Sequence, residues 1–361
     1  MKVCQKRKKI FCSRQVKKTK RVKNLSIFNK FIFFLNAVLT FVLLLTFMAP
    51  YMTWELFSFL SFLTLIVPYL VLINILFVVY WLIKKKKQFL LSFSIVLLGY
   101  FTQSTFFKTS SSNNETEDLD IGILTFNTHG SMGTKWSREP VFAEDITRFI
   151  AKEDSDIVCI QEFDYKKVKD FKRYPYKYVN YIFPNQKYVV QSILSKYPII
   201  EKGSLDFPDS RNNAIYADIL IKKDTVRVYN LHLQSLRFRA GMIKREEPQR
   251  LFKRLNGSLQ KQLEQAELVK EHGNNVDYKK IICGDFNNTQ FSNVYNSIKG
   301  EMNDSFQEKG SGFGNTYNFR FLPFRIDFIL MDKEIEITSH KNFNIQLSDH
   351  EPVMASFRLK E

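Results

Sequence analysis

Cysteine is scarce in this chain of 361 residues. Four are present: Cys4 and Cys12 in a basic N-terminal tail, Cys159 and Cys283 inside apolar runs. Their spacing matches no zinc-ligand pattern and calls for no disulfide framework. A cysteine within an apolar run packs as a small hydrophobe. Acidic residues are almost missing from the first 108 positions, where Glu55 alone stands against 17 Lys and Arg. The other 36 basic residues are met by 35 acidic ones, so the formal net charge of +17 belongs to the N-terminal third. A strongly basic chain usually points to nucleic acid, but here the C-terminal two-thirds is nearly neutral. Charge of either sign is absent from residues 31–51, 57–83 and 89–107. No internal repeat is visible in the C-terminal domain.

Each of the three uncharged stretches is near the roughly 20 residues that cross a hydrocarbon core. They predict three transmembrane helices within residues 31–108, behind a basic tail at 1–30. Twelve basic residues lie between Lys2 and Lys30, and four lysines occupy positions 84–87. The short connection around 50–55 has no Lys or Arg. Positive charge is retained on the cytoplasmic side, so the tail and the four lysines are expected in the cytoplasm. Three crossings then place everything after Phe107 in the periplasm or outside the cell, with the bilayer itself as a partner and no protein partner predicted. Residues 109–119 are polar and read as a linker.

Residues 120–361 alternate strand-like and helix-like runs. Strands are predicted at 121–126, 156–160, 189–195, 214–221, 225–231, 281–284, 326–331 and 353–358, and helices at 141–152 and 247–272. Mixed order over a domain of this length predicts an α/β (α+β) layered sandwich. Several strands end in polar groups of one kind: Asn127, Glu162, Asn230 with His232, Asp285 with Asn287, and Asp349 with His350. Asp327 lies in a further apolar run. One strand-end Asn or Asp is ordinarily a turn residue; five such ends fit a single site at one end of a sheet. The residue types suit metal-assisted hydrolysis of a phosphoester. A hard divalent cation takes carboxylate oxygens such as those of Glu162 and Asp349. A carboxylate such as Asp285 suits a general base, with Asn287 to orient it. An imidazole at His232 or His350 suits the charge developing on phosphoryl oxygens, and Asp327 could hold one of them in its tautomer.

Seven ordered segments carry a resemblance. They are Ile123-Leu124-Thr125-Phe126-Asn127, Ile160-Gln161-Glu162, Leu194-Ser195-Lys196-Tyr197-Pro198-Ile199, Asn230-Leu231-His232-Leu233, Gly284-Asp285-Phe286-Asn287, Arg325-Ile326-Asp327-Phe328-Ile329 and Ser348-Asp349-His350-Glu351-Pro352-Val353. Together they resemble the endonuclease/exonuclease/phosphatase superfamily of DNase I-like phosphoesterases. The resemblance implies a four-layer sandwich of two β-sheets flanked by helices, holding one divalent cation, usually Mg²⁺ with Mn²⁺ as a substitute. It implies Glu162, Asn127 and Asp349 as metal ligands and Asp285 positioning or deprotonating water. It also implies Asn287 and His232 at the scissile phosphate, and His350 as the terminal imidazole with Asp327 as its partner. Asn127, Asn230 and Tyr188 are expected substrate contacts. Where some members carry an acidic residue two positions after the first Asn, this chain has His129.

Residues 236–255 are rich in Lys and Arg and follow His232 directly. They read as a rim for an anionic substrate or as a solvated helix face balanced by Glu246, Glu247 and Glu264. The substrate is thus expected to be a phosphoester: a lipid headgroup, a small phosphoester or nucleic acid. Duplex DNA requires several phosphate contacts, for which a neutral domain is poorly equipped. Three readings follow: an anchored metal-dependent phosphoesterase, an anchored nuclease, and a catalytically silent binding domain on the same fold.

Overall fold

The computed structural model describes residues 25–49, 62–102, 107–109, 120–131, 141–181, 190–237, 246–319 and 322–360. Most of the basic tail, nearly all of the expected linker and Tyr188 lie outside the described residues.

Two six-stranded sheets form the C-terminal domain. The first runs, in spatial order, β13 (Ile335–Asn342), β14 (Val353–Leu359), β1 (Ile121–Asn127), β2 (Ile157–Phe163), β4 (Val190–Ser195) and β3 (Tyr176–Asn180). The second runs β5 (Ile199–Ser204), β6 (Asn213–Ile221), β7 (Asp224–His232), β8 (Lys279–Asp285), β12 (Asp327–Met331) and β9 (Asn303–Asp304). A hairpin of β10 (Tyr317–Phe319) and β11 (Leu322–Phe324) stands apart. Each sheet holds one parallel pair, β1 with β2 and β7 with β8, among antiparallel neighbours. Parallel neighbours cannot be joined by a tight turn and need a crossover. Helix Ala143–Glu153 connects the first pair and helix Pro248–Asn274 the second.

These crossovers create the layers. Ile123, Cys159 and Ile193 of one sheet face Ile215, Val228, Ile281 and Ile329 of the other. Ile146 and Ile150 cover the outer face of the first sheet, and Ala266 and Val269 that of the second. Two mixed sheets flanked by helices are therefore present, as the resemblance implies. The same topology puts the C-terminal ends of both parallel pairs side by side. In register, Asn127 lies opposite Gln161 and His232 opposite Asp285.

The N-terminal region is helical but differs from the expected three full spans. Ile27–Met48 has 22 residues and is, among the described residues, the helix long and apolar enough to cross a membrane. Val67–Ile83 has 17 and Phe89–Thr102 has 14. At 1.5 Å per residue these reach about 25 and 21 Å, short of a roughly 30 Å hydrocarbon core. The expected run at 57–83 is broken at Leu65-Ile66, and Pro68, which lacks an N–H, sits in the first turn of the helix that follows. The three helices pack with their polar groups inside. Trp81 Nε1 donates to Asn36 Oδ1 at 3.0 Å, and Thr40 Oγ1 and Ser92 Oγ each donate to Asn74 Oδ1 at 2.8 Å. Asn36, Asn74, Trp81 and Ser92 are fully buried, while Phe28, Phe34, Phe41, Leu76 and Tyr100 are each more than half exposed.

Candidate active site

The strand ends form two linked carboxylate–imidazole sets. On the open side, Glu162 Oε1 lies 3.3 Å from His232 Nε2, and Asp349 Oδ1 lies 3.1 Å from His129 Nδ1. On the buried side, Asp327 Oδ2 lies 2.9 Å from His350 Nδ1, whose Nε2 faces Asp285 Oδ2 at 3.8 Å. Glu162 and Asp349 keep 31% and 28% of their side chains exposed, against 1% for Asp285 and 2% for Asp327. A ligand arriving from solvent therefore meets Glu162 and Asp349 first.

Local backbone geometry sets these positions. Glu162 has φ +53, at a break in the β2–β4 register between Ile160 and Phe163. Such an irregularity re-aims one side chain. Gly284 has φ +130, and a Cβ there would stand 2.1 Å from the Leu231 carbonyl oxygen. Only glycine lets β7 and β8 close so that His232 and Asp285 sit side by side. Asp285 is held at both oxygens: Oδ1 accepts from the Asn287 N–H at 2.7 Å, and Oδ2 accepts from Asn127 Nδ2 at 2.9 Å and Asn287 Nδ2 at 3.1 Å. Asn127 Oδ1 in turn accepts the His129 N–H at 3.0 Å.

Electrostatics follow from that packing. Burial pushes the Asp285 carboxyl up, and Asp327 adds to it against His350 and His232, leaving it at about 6. Burial lowers His350, but the charges of Asp327 and Asp285 more than offset this and lift it to about 10. Glu162 is likewise pushed up by burial, yet the hydrogen bond and charge of His232, with His129 and His350, hold it at about 2. His232 is raised, its burial outweighed by Glu162 and Asp285. Asp349 is lowered: burial is outweighed by the His129 hydrogen bond and by His350. Perturbed groups gathered in one cleft mark a functional site.

The expected residues do not all behave alike. Asn127, Glu162, His232, Asp285, Asn287, Asp327, Asp349 and His350 come together. Asn230 is fully buried and spends its side chain on protein partners. Its Nδ2 donates to Ile160 O at 3.1 Å and Ser192 O at 2.9 Å, and its Oδ1 accepts from Gln161 Nε2 at 2.6 Å. It pins the two sheets together and does not line the cleft. Asn287 Nδ2 also donates to Leu233 O at 2.9 Å, tying its turn to the end of β7. His129 joins the site through Asp349. Of the basic rim, Arg254 is bonded to Glu246 Oε2 at 3.0 Å and to the Leu236 carbonyl, so its charge is spent locally; residues 238–245 lie outside the described residues.

Three supporting residues were not anticipated. Thr316 Oγ1 accepts both the Ile326 and Asp327 N–H groups at 3.0 Å, and the Tyr317 ring lies 4.7 Å from that of His350. Gln262 of the long crossover helix accepts from Asn288 Nδ2 at 2.8 Å and donates to Asn287 O at 3.1 Å. Neither a lone Thr before a strand nor a Gln on an amphipathic helix carries a sequence signal.

Two cation positions suit the chemistry. Asp285, Asp327 and His350 offer ligand atoms within 4.8 Å of one another and could hold a metal. Glu162 and Asp349 offer hard carboxylate oxygens at the open side and the buried Asn127 an amide oxygen, the kind of donor that Mg²⁺ and Mn²⁺ prefer.

Residues 124–350 match the endonuclease/exonuclease/phosphatase family. The chain belongs to that family and is a phosphoester hydrolase, of a kind generally dependent on a divalent metal. Residues 29–106 match a separate domain of unknown function, DUF8431. Comparison with curated proteins gives no match. Among solved structures, humanized D. rerio TDP2 superposes with TM-score 0.50 at 16% identity, over 66% of this chain and 99% of that one. D. rerio TDP2 complexed with single strand DNA product gives 0.51 at 16%, over 67% and 100%. An endonuclease/exonuclease/phosphatase from Beutenbergia cavernae DSM 12333 gives 0.51 at 16%, over 66% and 72%. At these identities the likeness concerns the fold.

Proposed function

We propose that this protein is a membrane-anchored phosphoesterase that uses Mg²⁺ or Mn²⁺ to hydrolyse a phosphomono- or phosphodiester outside the cytoplasm. The observation that carries the reading is the raised, buried Asp285 carboxyl facing His350 beside the open pair Glu162 and Asp349. Anchoring is supported by the helical bundle, whose apolar groups face outward and whose Asn36, Asn74 and Ser92 are paired inside. A helix group built that way suits lipid, not water.

Glu162, Asn127 and Asp349 would hold the cation. They are preferred over the buried group because Glu162 and Asp349 are the carboxylates open to solvent and all three offer oxygen, the donor that Mg²⁺ favours. A bound divalent ion neutralises charge on the phosphoryl oxygens. Asp285, aligned by Asn127 and Asn287, takes a proton from water as the water oxygen bonds to phosphorus. The P–O bond to the leaving group breaks, and the leaving oxygen takes up a proton. His350, kept protonated by Asp327 and Asp285, points Nε2–H toward the developing negative charge, and His232 contacts the phosphate.

Hydrolysis of bis-p-nitrophenyl phosphate by the full chain tests this. Asp285→Asn and His350→Ala are each expected to lose about 10²–10⁴-fold of turnover, the usual share of general acid–base groups, and EDTA to abolish it. Turnover that survives either variant or the chelator would sink the assignment. An anchored nuclease is the second reading, favoured by the likeness to a fold-mate crystallised with a single-strand DNA product; Mg²⁺-dependent cutting of plasmid or single-stranded DNA would support it. A silent binding domain has no need for all of Glu162, His232, Asp285, Asn287, Asp349 and His350 in one cleft.

A further inference from the structure

We propose that the substrate is a lipid, its phosphoester headgroup presented by the bilayer in which the helical bundle sits. This rests on the phosphoesterase reading above and adds the source of the phosphoester. Three segments that carry site residues run straight into contacts with the bundle. Leu236, four residues beyond His232, packs with Leu255 and Leu259 against Leu65. Thr289, two residues beyond Asn287, donates its hydroxyl to Thr64 O at 3.3 Å. Phe291 follows, 3% exposed in an apolar cluster with Leu43, Phe47, Val67 and Leu70, and Asn293 Nδ2 donates to Ala49 O at 3.1 Å. Phe324, three residues before Asp327, meets the Tyr69 ring edge-on at 6.3 Å.

These contacts gather at one end of the bundle, where Ile27–Met48 stops and Val67–Ile83 begins. The four lysines 84–87 follow the opposite end of the second helix. The catalytic end of the sheets is thus pressed onto the bundle end that the charge bias assigns to the non-cytoplasmic face. Asp285 and Thr289 are four residues apart, at most about 14 Å of chain, and the headgroup layer on each face is roughly 5–8 Å deep. A site tied this closely to helix ends stands at headgroup level. A soluble substrate would be served by a site on any face of the domain. Docking of three site-bearing segments instead fixes the cleft against the surface where lipid phosphates are concentrated and oriented, the condition under which positioning lowers a barrier. In the reaction, the water oxygen bonds to the headgroup phosphorus, one P–O ester bond breaks, Asp285 receives a proton and the departing alcohol oxygen gains one. One product stays in the bilayer and the other enters water.

The test uses the full chain in vesicles of phosphatidylcholine, phosphatidylethanolamine and phosphatidylglycerol with Mg²⁺ or Mn²⁺. Water-soluble phosphorus or headgroup released is measured by mass spectrometry, beside bis-p-nitrophenyl phosphate in the same preparation. Phe291→Ala loosens the dock from the domain side and Leu65→Ala from the bundle side. The wild type is expected to hydrolyse lipid, and both variants to keep bis-p-nitrophenyl phosphate turnover within about twofold while losing lipid turnover by about tenfold or more. Turnover of bis-p-nitrophenyl phosphate with no lipid hydrolysed overturns the lipid proposal and leaves the phosphoesterase reading intact; lipid turnover unchanged in both variants overturns the dock as the device that presents the headgroup. Equal loss of both activities in both variants reduces the dock to a folding contact and also overturns it. No turnover of either substrate by the wild type sinks the phosphoesterase reading itself.

Discussion

Asn230 sits two residues before His232 on the same face of β7, yet the two side chains do different work. Val226 and Val228 precede them on that face and lie in the core between the sheets. Alternation along a strand therefore carries Asn230 into the same dry space, where its amide must be fully bonded. His232, one step further, emerges at the sheet end beside Glu162 and Asp285. Asn230→Ala would strand Gln161, Ile160 O and Ser192 O, and is expected to cost about 2–4 kcal/mol of stability, read as a lower melting temperature of the purified chain. A melting temperature unchanged from wild type would show the pin to be idle. The polar strand ends were legible because each interrupts an apolar run; which of two neighbours faces the cleft was not, since that depends on where the second sheet lies. His340 shows the same limit. Burial, only partly opposed by Asp304, holds it down at about 4, and its Nδ1 and Nε2 are bonded to Ser305 and Asn342. The folded state keeps it neutral while the unfolded chain protonates it near 6.5. Its contribution is therefore complete above pH 6.5 and is lost as pH falls toward 4, up to about 3 kcal/mol. Melting temperatures across that window should fall less in His340→Gln than in wild type; parallel curves would count against it.

At the level of strands and helices, the central elements were readable and the edges were not. Besides the hairpin β10–β11, the strands that escaped the sequence are β3, β5, β9 and β13, the four outer strands of the two six-stranded sheets. β5 carries Glu201 and Lys202, and β13 carries Glu336 and Lys341. An edge strand needs charge to discourage pairing with other chains, and that charge erases the apolar run by which a central strand is recognised. The N-terminal helices failed in the opposite sense. Uniform apolarity announced three spans, but length alone ignored the break at Leu65-Ile66 and the polar residues the helices share. Asn36 bonds to Thr40, Ser92 and Trp81. Asn36→Leu would leave polar partners facing a hydrocarbon side chain and is expected to weaken the bundle by about 1–2 kcal/mol. Thermal unfolding of the full chain in detergent reads this, and a more stable variant would refute it.

Over the whole molecule, the catalytic domain meets the bundle at the end where Ile27–Met48 stops. Protease added to intact cells should digest the domain and spare a tag at the N-terminus, because the basic tail and residues 84–87 favour the cytoplasmic side. A protected domain with an accessible tag would reverse the orientation. The strand order adds a consequence for biosynthesis. β1 is completed by β2 on one side and by β14 on the other, and β14 is made long after β1. Until it arrives, β1 has an open edge, and Asp349 and His350, just ahead of β14, have not reached the cleft. The helical bundle has by then been made and can enter the bilayer. If the bundle anchors the chain as proposed, the hydrolase is silent while it is being made and gains its activity only once it stands at the membrane surface.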